Sequence, residues 1–370
     1  MPTAARSSAP STSKSRATRR PADMPGWAKN LLTLLGALGF LALACEFVLF
    51  RLVMPGTDLP ANAMIDGLIR WQPDSTGVYR RGNAIAAPFR INRQGWNSRH
   101  ESYAEARSGK CRALLIGDSY VEAFQVEHRA SLAERLEDQH GAEVYRFGIS
   151  GAPLSQYVLM AERLVPRYAP DRVIVLLVHN DFVESYRRLP GRFTSSFLKL
   201  DLNEGRVAGE TPPAPYVAPA TDWLRRSATM RFFWYRWNVT PETLRRALGG
   251  GERFAANVAV DEVAAELPNI RVATEHLFAR LARLGRPVLV AMDGVRQAIY
   301  DGSDDASGVR ALNRLAAEAA ARHGLAFLDL HTAFAADWAQ HRQRFDFGDV
   351  DFHWNQRGHD LAARAIGRPC

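Results

Sequence analysis

The sequence predicts an α/β fold in which a parallel sheet is wrapped by helices on both faces. Three observations carry this. Short apolar runs recur from residue 111 onward at 112–116, 143–147, 172–178, 287–291 and 325–329. Between them lie stretches with apolar residues at three- and four-residue spacing, such as SLAERLEDQ, LSQYVLMAERLV and VATEHLFARLARLG. The runs end in turn-forming or polar residues, so strand, helix and strand alternate, the pattern of crossover-connected parallel strands.

The chain begins with a different composition. Residues 1–30 carry Arg6, Lys14, Arg16, Arg19, Arg20 and Lys29 against Asp23 alone, and are rich in Ser, Ala, Thr and Pro. They read as a disordered basic tail. This tail holds most of the net charge of +8, leaving the remainder too close to neutral for a surface that tracks nucleic acid.

The next stretch, LLTLLGALGFLALACEFVLF at 31–50, contains a single charge, Glu46, and is long enough to cross a bilayer as one helix. We assign 31–53 as a transmembrane helix. The basic tail favours a cytoplasmic N-terminus and places the rest beyond the membrane, the periplasm of a bacterium whose inner membrane holds the anchor. A cleaved signal peptide fits less well, because the apolar run continues through Phe47, Val48, Leu49 and Phe50. The LALAC segment has a lipoprotein-like look, but apolar residues follow Cys45.

Residues 54–110 read as a linker with short accessory strands, the clearest signal being Pro88-Phe89-Arg90-Ile91-Asn92 before the Gln94-Gly95 turn. Residues 111–370 form the main domain. Cys111 and Cys370 flank it and would pair in an oxidising compartment if close; sequence gives no distance, and separate thiols are the expectation.

The first strand of this domain ends in Gly117-Asp118-Ser119, at the edge where sheets of this class bind ligands. Gly117 allows a tight turn, and a helix beginning near Tyr120 leaves the Ser119 hydroxyl projecting, although Asp118 or Ser119 as an ordinary helix cap explains the same residues. A serine nucleophile needs a base and oxyanion donors. FGISG at 147–151 offers the Gly151 N–H, HND at 179–181 offers the Asn180 amide, and DVDFHWN places His353 just before a helix that Asn355 can cap.

These four stretches, in this order, resemble the blocks of the SGNH hydrolase family, also called GDSL esterases. The resemblance runs from about residue 111 to 368. It implies a three-layer α/β/α domain with a five-stranded parallel sheet of flavodoxin-like order. It further implies Ser119 as nucleophile, Gly151 and Asn180 as oxyanion donors together with the Ser119 amide, and His353 as general base. Two departures stand out. The family's last block reads Asp-x-x-His, but Val350 occupies that position, so Asp351 is assigned to orient the imidazole in preference to Asp349. His179 stands where the family often has glycine; with Asp118 and Trp354 it is a candidate pocket residue. The Asp-x-His-Trp arrangement resembles that of polysaccharide O-acetyltransferases, whose relatives often work with a multi-pass membrane acyltransferase.

His323, His331 and His359 read as structural. No His, Cys and carboxylate cluster has metal-ligand spacing and no Gly-rich phosphate loop occurs, so neither metal nor other cofactor is implied. An insertion at 182–262 contains WLRRSATMRFFWYRW, read as a helix packed on the domain with its arginines in solvent, with contact to a glycan, an anionic lipid surface or a membrane partner as the other reading. The functional expectation is a periplasmic esterase or O-acyltransferase acting on acyl esters of a cell-envelope or secreted polysaccharide. The alternatives are a tethered lipid or small-ester hydrolase and a catalytically inactive glycan-binding scaffold.

Overall fold

The computed structural model describes residues 24–218, 220–240, 243–244, 254–256, 258–303 and 308–370. The expected basic tail therefore lies almost entirely outside the described residues, as do parts of the 182–262 insertion.

The main sheet has five parallel strands: β5 (Arg112–Gly117), β6 (Glu143–Gly148), β7 (Arg172–Leu177), β12 (Val288–Met292) and β13 (Ala326–Asp329). Their spatial order is β13-β12-β7-β5-β6. Numbered within the domain this is the flavodoxin-like order 2-1-3-4-5, and the chain reverses its winding beside β5, where such sheets place their ligand crevice. All five strands match the apolar runs to within one residue at either end. They are apolar on both faces because helices cover both: Leu114 and Ile116 pack into one core, Ala113 and Leu115 into the other. The helix before β12 runs Val260–Ala282, starting well before the periodic stretch that predicts it.

The accessory strands expected within residues 54–110 are present, and they pack on the main domain. Strands β1 (Asn62–Ile65) and β2 (Leu68–Trp71) form one hairpin, and β3 (Thr76–Arg81) and β4 (Ile85–Arg90) another. Leu68, Ile69, Trp71, Phe89, Ile91, Trp96 and Tyr103 are buried in the same core as β5. Apolar side chains at this density cannot stay in solvent, and the exposed rim of the main sheet gives them a surface to cover.

The cysteines also depart from expectation: Cys111 and Cys370 form a disulfide, with Cα atoms 6.1 Å apart. The last helix, Gln356–Ile366, packs against Leu132–His140 and delivers the C-terminus to the start of β5. Among the described residues, this pair beside Asp171 makes the one group close enough to hold a metal ion, and its sulfurs are already bonded to each other.

At the other end, an apolar helix begins at Gly26, five residues earlier than predicted, and continues past Ala44 in wider turns through Val53. It is long and apolar enough to cross a membrane. The insertion supplies the hairpin of β8 (Lys199–Asn203) and β9 (Arg206–Thr211), the irregular stretch 212–218, and a chain of short helical turns from Ala220 to Arg236. A two-residue ladder, β10 (Phe254–Ala255) with β11 (Val258–Ala259), closes it.

Candidate active site

The serine turn is shaped by close approach. Gly148, at the end of β6, lies so near the turn that a Cβ there would sit 2.2 Å from the Glu122 nitrogen, and a Cβ at Gly117 would meet Val121. Two glycines thus let adjacent strand ends carry the turn Ser119–Glu122 down onto the sheet. The Asp118 side chain caps this turn by accepting from the Tyr120 N–H at 2.9 Å. The cap and the projecting serine hydroxyl coexist.

His353 arrives from the other end of the chain. Its loop is fixed by Asn355, whose side chain accepts from the Gly358 N–H to start the last helix and donates to the Arg344 and Asp346 carbonyls. Beneath it, the buried Arg296 guanidinium donates to Asp346, to the Phe352 carbonyl and to the Tyr120 hydroxyl, and pairs with Asp293. Two carboxylates balance this buried cation, which ties the serine turn and the histidine loop to one point.

The result is a relay. His353 Nε2 lies 2.7 Å from Ser119 Oγ, and His353 Nδ1 lies 2.5 Å from Asp351 Oδ1. Asp351 also accepts from the His353 backbone N–H at 2.9 Å, which locks carboxylate and ring together. Asp349 is exposed and has no part in the chain of contacts. The Ser119 hydroxyl has a second acceptor in Asp118 Oδ2, at the longer distance of 3.3 Å.

The electrostatics agree with this geometry. Burial disfavours the His353 cation, but the Asp351 charge and hydrogen bond outweigh it, so the imidazole pKa rises above its ordinary value. Burial likewise opposes the Asp351 charge, yet His353 holds its carboxyl below the usual range. Asp118, lacking a cation in direct contact, is pushed up to about 6 by burial.

Gly151 and Asn180 stand on the loops after β6 and β7, the two strands flanking β5. Gly151 has φ +76° and Thr194 within 2.9 Å of where a Cβ would sit, so glycine alone fits there without strain. Asn180 directly precedes the helical turn Asp181–Glu184, and its Oδ1 is buried with no partner among the described residues.

Two candidate pocket residues point elsewhere. His179 is buried, bonds Asn313 Oδ1 at 2.8 Å through Nε2, and has its pKa lowered by burial. Trp354 is fully buried and donates to Asp293 Oδ1 at 3.0 Å. Both are turned inward toward polar partners, Asn313 on the helix Ala311–Arg322 and Asp293 just past the end of β12. A groove of 510 Å³ lined by Gln125, Val126, Phe347, Asn355 and Gln356 lies nearby, without Ser119 or His353 in its wall.

Two residues escaped the sequence reading. The Tyr79 hydroxyl, from accessory strand β3, donates to Asp351 Oδ2 at 3.1 Å and extends the relay by one member. Glu122, buried on the serine turn, accepts from Trp71 Nε1 at 2.5 Å, from the Ser150 N–H at 3.1 Å and from the Ser150 hydroxyl. It binds the Gly151 loop to the serine turn. Glu122 lies three residues after Ser119, a spacing that a one-turn helix turns toward its neighbour; Tyr79 left no such sign.

The fold is a three-layer α/β/α domain of flavodoxin-like order, and the constellation is a Ser-His-Asp chain of contacts at its carboxyl edge. The chain belongs to the GDSL-like lipase/acylhydrolase family, whose profile matches residues 115–361, and is by that membership an ester hydrolase. Among solved structures it is similar to the acetyl xylan esterase AlAXEase, at 13% identity and TM-score 0.39 over 69% of this chain and 97% of that one. It is also similar to the lipase/acylhydrolase of Enterococcus faecalis, at 13% identity and TM-score 0.38 over 69% and 93% of the two chains. A catalytic variant of Axe2, an acetylxylan esterase of Geobacillus stearothermophilus, aligns at 14% identity and TM-score 0.38 over 72% and 96%. A comparison with curated proteins returns no match.

Proposed function

We propose that the chain is a membrane-anchored periplasmic serine esterase or O-acyltransferase acting on acyl esters, acetyl above all, of a cell-envelope or secreted polysaccharide. The observation that carries this reading is the continuous contact from Ser119 through His353 to Asp351 at the carboxyl edge of the sheet. In the first half-reaction His353 takes the Ser119 proton as Oγ bonds to the ester carbonyl carbon. Gly151, Asn180 and the Ser119 amide hold the oxyanion. Collapse breaks the carbon–oxygen bond of the ester, and the departing alcohol leaves with the proton from His353. In the second, water or a sugar hydroxyl gives its proton to His353, attacks the acyl-Ser119 and restores the enzyme.

Export is supported by the apolar helix and by the Cys111–Cys370 disulfide, a bond favoured in an oxidising compartment. Transfer is supported by the tether itself, which suits a partner in the membrane that supplies acyl groups, such as a multi-pass acyltransferase. The alternative of a lipid-ester hydrolase draws on the exposed aromatic residues beside the span.

The test is direct. Purified full-length protein is incubated with acetylated polysaccharide and with acyl donors, and acetate release is compared with transfer by mass spectrometry. A fluorophosphonate probe should label the wild type and not Ser119→Ala; labelling that survives the substitution removes Ser119 from the mechanism.

A further inference from the structure

Glu46 is the sole charge in the apolar run 31–50, and a carboxylate there requires a reason. Its partners supply one. Glu46 accepts from the Ala228 N–H at 2.7 Å, the Thr229 N–H at 3.0 Å and the Ser227 hydroxyl at 2.8 Å, so it caps a helical turn in the distant insertion. Next to it Phe50 packs against Phe232, tilted by 31° with ring centroids 4.4 Å apart, and meets Phe233 at 5.4 Å. Phe50, Ala228 and Phe232 form a buried cluster of their own, outside both cores of the main domain.

The same segment is fastened on its other side to the accessory hairpin. Arg231 pairs with Asp58 at 2.9 Å. Arg236 donates to the Pro55 and Gly82 carbonyls, while Arg81 donates to the Tyr235 carbonyl at 2.7 Å. Gly56 passes so close that a Cβ would lie 2.6 Å from the Arg231 backbone carbon. Two of the four arginines expected in solvent are therefore structural pins. What remains outward is the exposed pair Arg225 and Arg226 and four large rings: Trp223 is 65% exposed, Phe233 44%, Trp234 40% and Trp237 43%.

Four large rings outside the core within fifteen residues form an apolar surface that water does not favour. Its position decides what covers it. The helix Gly26–Ala44 has 19 residues and so is about 28 Å long, the thickness of a bilayer's hydrocarbon layer. Phe50 lies three residues before Val53, where the span ends, so the rings packed on it sit where the chain leaves the bilayer, the level at which tryptophan is enriched. We propose that residues 223–237 form a lipid-facing collar that seats this face of the domain in the headgroup layer. The occupant is the phospholipid bilayer itself. This inference rests on the proposed reading of Gly26–Val53 as a membrane span.

The test uses the full chain reconstituted in phosphatidylcholine and phosphatidylglycerol vesicles, with lipids brominated at carbons 6,7 or 11,12. Flotation with the vesicles is measured first. Emission of Trp223, Trp234 and Trp237 is then obtained by subtracting the W223F/W234F/W237F variant from the wild type, which cancels Trp27 at the far end of the span. Bromine at 6,7 should lower this difference emission about twofold and more than bromine at 11,12. Flotation with unquenched difference emission overturns the collar, and leaves the face to a protein partner. Stronger quenching from 11,12 overturns its placement among the headgroups. Failure to float overturns the span and the collar with it.

Discussion

Replacing Tyr79 with phenylalanine tests whether the accessory sheet belongs to the catalytic apparatus. The substitution removes one oxygen and leaves a ring that packs within 6.2 Å of Phe124. Burial, and then the Asp351 charge, raise the Tyr79 pKa, so the phenol keeps its proton and donates at every working pH. A hydrogen bond to a charged group is worth about 1.5–3 kcal/mol net. Asp351 is a carboxylate both before and during proton transfer, so only part of this reaches the barrier; about 1.4 kcal/mol, a tenfold fall in kcat/KM, is the expected outcome. The second effect has a sign. Without the phenol, negative charge concentrates on Asp351 and further favours the His353 cation, whose pKa already lies above its ordinary value. The base works only when neutral, so activity falls as pH drops through that pKa. In Tyr79→Phe the acid limb should move to higher pH by about half a unit, near 0.7 kcal/mol. Stopped-flow or plate assays of p-nitrophenyl acetate hydrolysis from pH 5 to 9 read both quantities. A purely structural Tyr79 would lower the melting temperature and leave the limb in place, and that result would refute the argument.

Asp351→Asn should cost about a thousandfold or more in kcat, because the amide favours the wrong imidazole tautomer, whereas Asp349→Asn should stay within about twofold of wild type. The reverse order in steady-state kinetics would overturn the assignment. Glu122 is pushed up to about 7 by burial, so its favourable contribution to stability is complete below its unfolded value and fades as pH rises through about 7. Melting curves of Glu122→Gln should accordingly show less loss between pH 5 and 8 than the wild type, and parallel slopes would exclude an ionising Glu122. Removing the disulfide with C111S/C370S opens a loop spanning 259 residues, worth up to about 5 kcal/mol in the chain-entropy treatment. Calorimetry should register a lower melting temperature, with no change if the bond is absent in solution.

The five strands were legible because burial on both faces demands continuous apolar runs, and a run such as RVIVLL admits few other readings. Ser119 and His353 were legible for a different reason: the turn glycines and the helix-capping asparagine place them at the sheet edge, but it is the resemblance of four blocks in order to the SGNH family that singles them out. In the accessory region the strand around Pro88-Phe89-Arg90 was legible, but its pairing into hairpins was not, since IAAPFR alternates buried and exposed residues over only six positions. Nor does sequence carry long-range distance. Tyr79 and Asp351 are 272 residues apart, and Cys111 and Cys370 are separated by 259. His179 misled because an imidazole beside Asn180 suits a pocket as well as a buried hydrogen bond, and only the position of Asn313 decides between them.

The family match stops at residues 115 and 361, but the forces that shape the site do not. Trp71 reaches in to hold Glu122, Tyr79 to hold Asp351, and Asn97 to hold the Glu122 carbonyl at 2.8 Å. All three lie before residue 111. A fragment starting at 111 would keep Ser119, His353 and Asp351 yet strip the cover from Leu114, Ile116 and Phe147, which share a core with Trp71, Phe89 and Trp96. Burying a side chain of that size contributes about 1.5–3 kcal/mol, so losing several such partners exceeds the usual 5–15 kcal/mol stability of a domain. A fragment of residues 111–370 should therefore be insoluble or molten by near-ultraviolet circular dichroism, while one of residues 54–370, retaining the hairpins, should fold and react with the fluorophosphonate. Equal folding and reactivity of the two would show that the hairpins are an appendage, and that Tyr79 and Glu122 merely lie beside the chemistry.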